Sequence, residues 1–217
     1  MPTSVLAYGA TRAGKSHLLA TMRAAGRIVV ADVDGKFAAE VPDAYTIKAP
    51  PVTGTDPAAL EERSKRWAVE FKAANDAPHV IWPIYGIHDM GAFQVALSQK
   101  RFNDVRVVGI DSLTFALEKI IAHICGVSVM VKKGRDDEEP MIDPVMTSLP
   151  DFTGAHVQRP MRKNDWGTFA QKALELVDGM GAVAARLGAF YVCTALEEKR
   201  DIIDQKTERL IETRMGP

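Results

Sequence analysis

The sequence predicts an α/β fold, a mostly parallel central sheet with helices on both faces, carried by a single domain over residues 1–217. Three observations predict it. Apolar runs rich in β-branched residues, such as Arg27 to Ala31 (RIVVA) and Val105 to Ile110, have the unbroken hydrophobicity of strands buried on both faces. Segments with helix start and stop signals separate these runs. A glycine-rich loop joins the first run to the first helix, and parallel sheets gather ligands at that end of their strands.

The first strand is Ser4 to Tyr8, followed by Gly9, Ala10, Thr11, Arg12, Ala13, Gly14, Lys15, Ser16 and His17. Gly9 to Ser16 fits G-x-x-x-x-G-K-[ST], the phosphate-binding P-loop, in its required place between strand and helix. Glycines let backbone N–H groups face a polyphosphate, and the helix opening there turns its positive end toward the same charge. Lys15 would reach the β- and γ-phosphates, and Ser16 would offer its hydroxyl to Mg²⁺. The four fixed positions arise by chance in roughly one chain in a hundred of this length, so a nucleotide site is the working premise. The helix runs to about Ala25, where Gly26 stops it.

The second strand, Arg27 to Ala31, ends in Asp32-Val33-Asp34-Gly35. Three readings stand for this run. Asp-x-x-Gly resembles the third GTPase motif, although the chain has no Asn-Lys-x-Asp for guanine. Asp34 could instead polarise an attacking water, or the run could be an Asp-Gly turn closing a strand. Residues 42–57 carry five Pro and Gly positions around Tyr45 to Lys48, which reads as a loop with one edge strand. Pro57 to Asn75 is a charged helix whose Trp67 and Phe71, at i and i+4, read as core contacts. His79 to Ile84 is a brief strand weakened by Pro83, and His88 to Arg101 is a helix. His79 and His88 have no partner at metal-ligand spacing.

The strand Val105 to Ile110 ends in Asp111, the Walker B pattern, whose carboxylate holds the Mg²⁺ water shell beside the P-loop serine. A helix follows from Leu113 to about Ile124. Residues 126–165 form a long insertion rich in Pro, Gly and charge, too long for an ordinary connection. Its basic residues Lys132, Lys133, Arg135, Arg159, Arg162 and Lys163 suit a DNA-contacting loop, and its acidic run suits a solvated one. Trp166 to Leu187 is a helix that Gly179 and Gly181 should bend or interrupt. Ala189 to Thr194 is a buried strand, with Thr194 either a sensor of the γ-phosphate or an ordinary strand residue. The rest, 197–217, is mixed in charge and stops at Met215-Gly216-Pro217 without a cap, as a truncated chain would.

Composition limits the partners. With 27 basic and 28 acidic side chains, net charge is −1, so no global basic field advertises nucleic acid or an anionic membrane. DNA binding would be local. Cys125 and Cys193 lack a metal spacing and read as reduced thiols. No run reaches membrane-span length and no signal-peptide pattern opens the chain, so the expectation is a cytoplasmic protein, in the host cell if phage-encoded.

The series of a Walker A helix, V-A-D-V-D after the second strand, V-V-G-I-D-S-L-T after a later one, a loop, a W-G-x-x-A-x-x-A helix and an apolar strand ending in Thr resembles the RecA-like core. More narrowly, it resembles the compact phage-encoded ATPases of that superfamily, which act in single-strand annealing or recombination. The resemblance implies ATP and Mg²⁺ as ligands, single-stranded DNA and a homo-oligomer as partners, and no membrane. It implies that Lys15 and Ser16 bind phosphate and metal and that Asp111 is the Walker B acid. Asp34 falls where RecA proteins place a catalytic Glu, and Thr194 lies near their strand-end sensor. Their DNA-binding loops correspond to about 126–165 and 197–217, and Arg200, Arg209 and Arg214 follow the sensor strand where an arginine could act on a neighbouring subunit's site. Two features depart from the pattern. Asp34 is one methylene shorter than Glu, and the chain begins just before the first strand, without a polymerisation segment. Two other functions fit the P-loop: a small-molecule kinase, and an accessory protein in which nucleotide only orders loops.

Overall fold

Alternation within the buried strands sorts two cores onto the two faces of one sheet. The structure, a computed structural model, describes residues 3–48, 57–125, 127–129, 144–145, 156–158, 163–196, 198–203 and 210–216. The main sheet comprises β1 (Ser4–Gly9), β2 (Arg27–Asp32), β3 (Ala44–Thr46), β4 (His79–Pro83), β5 (Val105–Asp111) and, late in the chain, β9 (Phe190–Leu196). Its helices are α1 (Lys15–Thr21), α2 (Pro57–Asp76), α3 (Ile87–Ser98), α4 (Leu113–Cys125) and α5 (Lys163–Leu187). The six strands lie in the order β1-β9-β5-β2-β4-β3, and every pairing is parallel.

On one face, Val29 and Ala31 of β2 pack with Trp82, Ile110 and Cys193 against Ala74 of α2, Phe93 of α3, Ile120 of α4 and Met180 of α5. On the other, Ile28 and Val30 meet Leu19 of α1, Phe37 and Val41. Helices therefore cover both faces, as a parallel sheet requires. Each fully buried side chain of this kind contributes about 1.5–3 kcal/mol, so both cores anchor the strand ends between them. β3 lies at one edge, as its Pro-flanked sequence predicts, and β1, with the glycine-rich loop, lies at the other.

Several expectations are corrected. The first helix ends at Thr21 and tightens into a 3-10 turn, Met22–Ala25, before Gly26 (φ 129°) closes it. α5 runs without interruption through Gly179 and Gly181. A Cβ at 179 would fall 2.4 Å from Nε2 at the end of the Gln94 side chain on α3, and one at 181 would make an ordinary 3.6 Å contact with Tyr191. Buried Leu176, Met180, Val183 and Ala184 hold the helix against the sheet through this stretch.

The 126–165 region is not wholly loop. It contains β6 (Val127–Val129), β7 (Pro144–Val145) and β8 (His156–Gln158), an antiparallel sheet in the order β7-β6-β8, and Lys163 already belongs to α5. Strands of two or three residues carry too little periodicity to read. Beyond β9, β10 (Glu198–Ile203) and β11 (Leu210–Gly216) pair antiparallel. Among the described residues, no helix is long and apolar enough to cross a membrane, and Cys125 and Cys193 are buried free thiols.

Candidate functional site

The topology selects a crevice. The chain leaves β2 toward β3 at one edge and leaves β5 toward β9 on the other side, so the sheet's connections diverge between these neighbouring strands. Ligands of open parallel sheets bind at the carboxyl ends of strands at such a point. Asp32 and Asp111 stand there in register. A cavity of about 630 Å³ opens at this end, bounded by the loop from Thr11 to His17 and by Asp34, Asp111 and Thr194.

Gly14 adopts φ 80° to start α1, a conformation that costs other residues, and Arg12 also has positive φ, 65°. The Lys15 ammonium is folded back on its own loop, donating to the carbonyls of Gly9 (2.9 Å) and Ala10 (2.6 Å). Gly9 and Ala10 thus act through their carbonyls, while Thr11 to His17 line the cavity. His17 Nδ1 lies 3.2 Å from Glu40 Oε2 on the rim.

Asp111 is the pivot. It is 3% exposed, its Oδ1 accepts the Thr194 hydroxyl, and Ser16 lines the same cavity. Burial pushes its pKa up, opposed by the Thr194 and Ser16 hydroxyls and by the Lys15 charge, while Asp34 adds to the rise. Asp111 Oδ2 and Ser112 Oγ are buried without hydrogen-bond partners, and the peptide bond between the two residues is cis. An unpartnered carboxylate oxygen beside a serine hydroxyl is a hard oxygen donor set, which fits Mg²⁺. That ion keeps most of its shell as water and phosphate and needs few protein ligands. The described residues hold no group of three or more His, Cys, Asp or Glu able to cage a metal.

Asp32 has a different task. At 4% exposure, its Oδ1 accepts the Gly35 N–H (2.9 Å) and its Oδ2 the Phe37 N–H (3.1 Å). It thereby organises the turn that carries Asp34 into the cavity wall, with Phe37 sunk in the core as the anchor. Burial pushes the Asp32 pKa up to about 6, the two N–H bonds oppose this, and the charges of Asp34 and Asp111 add to it. Asp34 is both a turn residue and a cavity residue. Its Oδ1 accepts the Lys36 N–H (3.1 Å) and its Oδ2 lies 3.7 Å from Lys36 Nζ.

Lys15, Ser16, Asp34, Asp111 and Thr194 therefore share one cavity. Sequence reasoning missed Lys36, Glu40, Ser112, Phe115 and Leu196 in its walls. Only Ser112 had a signal, its place directly after the Walker B acid. Thr114 was missed as well; it accepts the Leu196 N–H at 2.9 Å and ties the end of β9 to α4. Lys163 opens α5 and does not line the cavity, while Lys132, Lys133, Arg135, Arg159, Arg162 and Arg209 lie outside the described residues. Arg200 and Arg214 are register partners across β10 and β11. Compared with known proteins, the chain matches no family model and no curated protein.

Proposed function

We propose that this chain is a RecA-like P-loop ATPase that binds Mg²⁺-ATP, hydrolyses it and acts on single-stranded DNA in phage recombination or strand annealing, as a homo-oligomer in the host cytoplasm. The observation that carries the reading is the convergence of Lys15 and Ser16 with Asp111 on one cavity. It joins the loop's lysine and serine to an acid from a strand two places away from β1 in the sheet, around a space of triphosphate size.

Hydrolysis is in-line attack of water on the γ-phosphate, and most of its acceleration is charge stabilisation. Lys15 exchanges its loop carbonyls for phosphate oxygens. Ser16 and Asp111 would hold Mg²⁺, which when bound neutralises charge on the β- and γ-phosphates. Asp34, which lines the same cavity, would orient and polarise the attacking water. Thr194 occupies one Asp111 oxygen and leaves the other without a partner, the atom that would serve Mg²⁺. Arg200 or Arg214, from a neighbouring subunit, would add transition-state charge stabilisation.

Phosphate release from ATP, with and without single-stranded DNA and beside a nucleotide-kinase control, tests this. Mg²⁺-dependent release stimulated by DNA is expected. Phosphate transferred to a small acceptor would make the chain a kinase, and nucleotide binding without turnover would make it an accessory protein.

A further inference from the structure

We infer that the chain binds single-stranded nucleic acid outside the nucleotide cavity, in the groove between α2 and α3 and the cationic hollow beside it at the amino end of β5. This deepens the proposed function, on which it rests for the identity of the ligand.

The groove encloses about 360 Å³, room for a planar base, and is walled by Trp67, Phe71 and Trp82 with Ala92, Val95 and Ala96 opposite. Trp67 stacks on Trp82 (5.3 Å, 20°) and on Phe71 (5.4 Å, 25°), while Phe71 and Trp82 are tilted 46° to each other. Trp67 and Phe71 are only half-buried, and Val95 at the rim is 53% exposed. The Arg101 guanidinium lies 5.8 Å over the Phe71 ring.

Next to it is a hollow of about 470 Å³ lined by Lys100, Arg106 and Arg186, with Asp104 the one acid in its wall. None of these three cations forms a salt bridge among the described residues. One loop divides the two hollows. Gln99 and Arg101 face the groove, while Lys100 and Phe102 to Val105 face the cations. Buried Phe102 meets Phe71 (5.6 Å) and Trp82 (6.2 Å) edge-on, which carries the aromatic cluster through to the cationic side.

The loop is held in place. The Asn75 amide donates to the Arg101 carbonyl (2.9 Å) and accepts the Asn103 N–H (3.0 Å), and Lys100 and Asp104 are fixed at φ 52° and 50°. Stacking surfaces flanked by cations without salt bridges are what an unpaired strand needs: a place for bases that can leave the stack, and charge to meet its backbone. A duplex keeps its bases stacked and could not fill the groove. A net charge of −1 makes this local cluster decide where a polyanion lands.

The test uses the full chain, fluorescently labelled oligo-dT and anisotropy over a salt series. Replacing Lys100, Arg106 and Arg186 together by Ala should weaken binding at least tenfold and flatten the slope of log Kd against log salt by about two. Val95→Glu, an exposed change that sets a carboxylate on the groove rim, should weaken binding about tenfold with an unchanged thermal midpoint. Wild-type binding that both variants retain in full would overturn the inference and leave the ATPase reading standing. Loss in the triple variant alone would overturn the base-binding groove. A wild-type chain that hydrolyses ATP but shows no salt-sensitive binding would overturn the inference together with the DNA half of the proposed function.

Discussion

The Thr194 hydroxyl donates to Oδ1 of Asp111 across the β9–β5 pair, 83 positions away in sequence, from a side chain with no solvent exposure. This bond lowers the pKa of a carboxylate that burial raises. Thr194→Val keeps the shape and removes the donor. The Mg²⁺ concentration needed for half-maximal turnover should rise about tenfold, the worth of a hydrogen bond to a charged group. The acid limb of the pH–rate profile should also move to higher pH. An unchanged Mg²⁺ titration would reduce Thr194 to a packing residue.

Lys15→Ala removes the ammonium that is bonded to the loop's own Gly9 and Ala10 carbonyls. Turnover should fall at least about 100-fold, the scale of losing a preorganised charge-stabilising donor. Steady-state phosphate release by the purified variant measures this, and wild-type turnover would remove Lys15 from the mechanism.

Asp34→Asn should separate binding from chemistry. The amide still accepts the Lys36 N–H that shapes the turn, so nucleotide affinity should persist while hydrolysis drops about 100-fold, as expected for a lost general base. Equal kcat in variant and wild type would mean that the water is activated elsewhere.

Asp32 makes stability depend on pH in a predictable direction. Its carboxyl titrates near 6 in the native chain and at about 4 in the unfolded one. Between those values the native state holds a proton that the unfolded state has lost. Stability from this group is therefore present below about pH 4 and declines as pH rises to 6. Asp32→Asn should abolish that part of the slope in urea midpoints measured from pH 4 to 7. It should also lower kcat more than it raises KM, because the turn that holds Asp34 keeps only one of its two side-chain acceptors. Parallel slopes for variant and wild type would contradict the assignment.

Gly109, inside β5, lies under a packed core. A Cβ there would lie 3.0 Å from Leu19 Cδ2 and 3.0 Å from Val30 Cγ2, both fully buried branched side chains. Gly109→Ala should destabilise by about 1–3 kcal/mol, the usual cost of overpacking. Thermal or urea unfolding reads it directly.

The parts of this molecule legible in its sequence are those with a local signature. The glycine-rich loop declared itself because Gly14 and Lys15 must occur together between a strand and a helix, and β2 and β5 because burial on both faces leaves an unbroken apolar run. Relations that arise only when strands are ordered in space were hidden. Nothing near Thr194 announces that β9 lies between β1 and β5, and nothing near Asp32 shows that its two oxygens would be taken by Gly35 and Phe37. Gly179 misled for the same reason: a helix-breaking residue alone in the chain becomes a packing site once Gln94 lies against it.

The folded-back side chain of Lys15 makes the loop a latch rather than an open trap. A lone chloride or a monovalent phosphate offers little in exchange for two satisfied carbonyl bonds. On the reading proposed above, a triphosphate presents several oxygens at once and would free the ammonium, so the threshold for opening would be the density of charge a visitor brings.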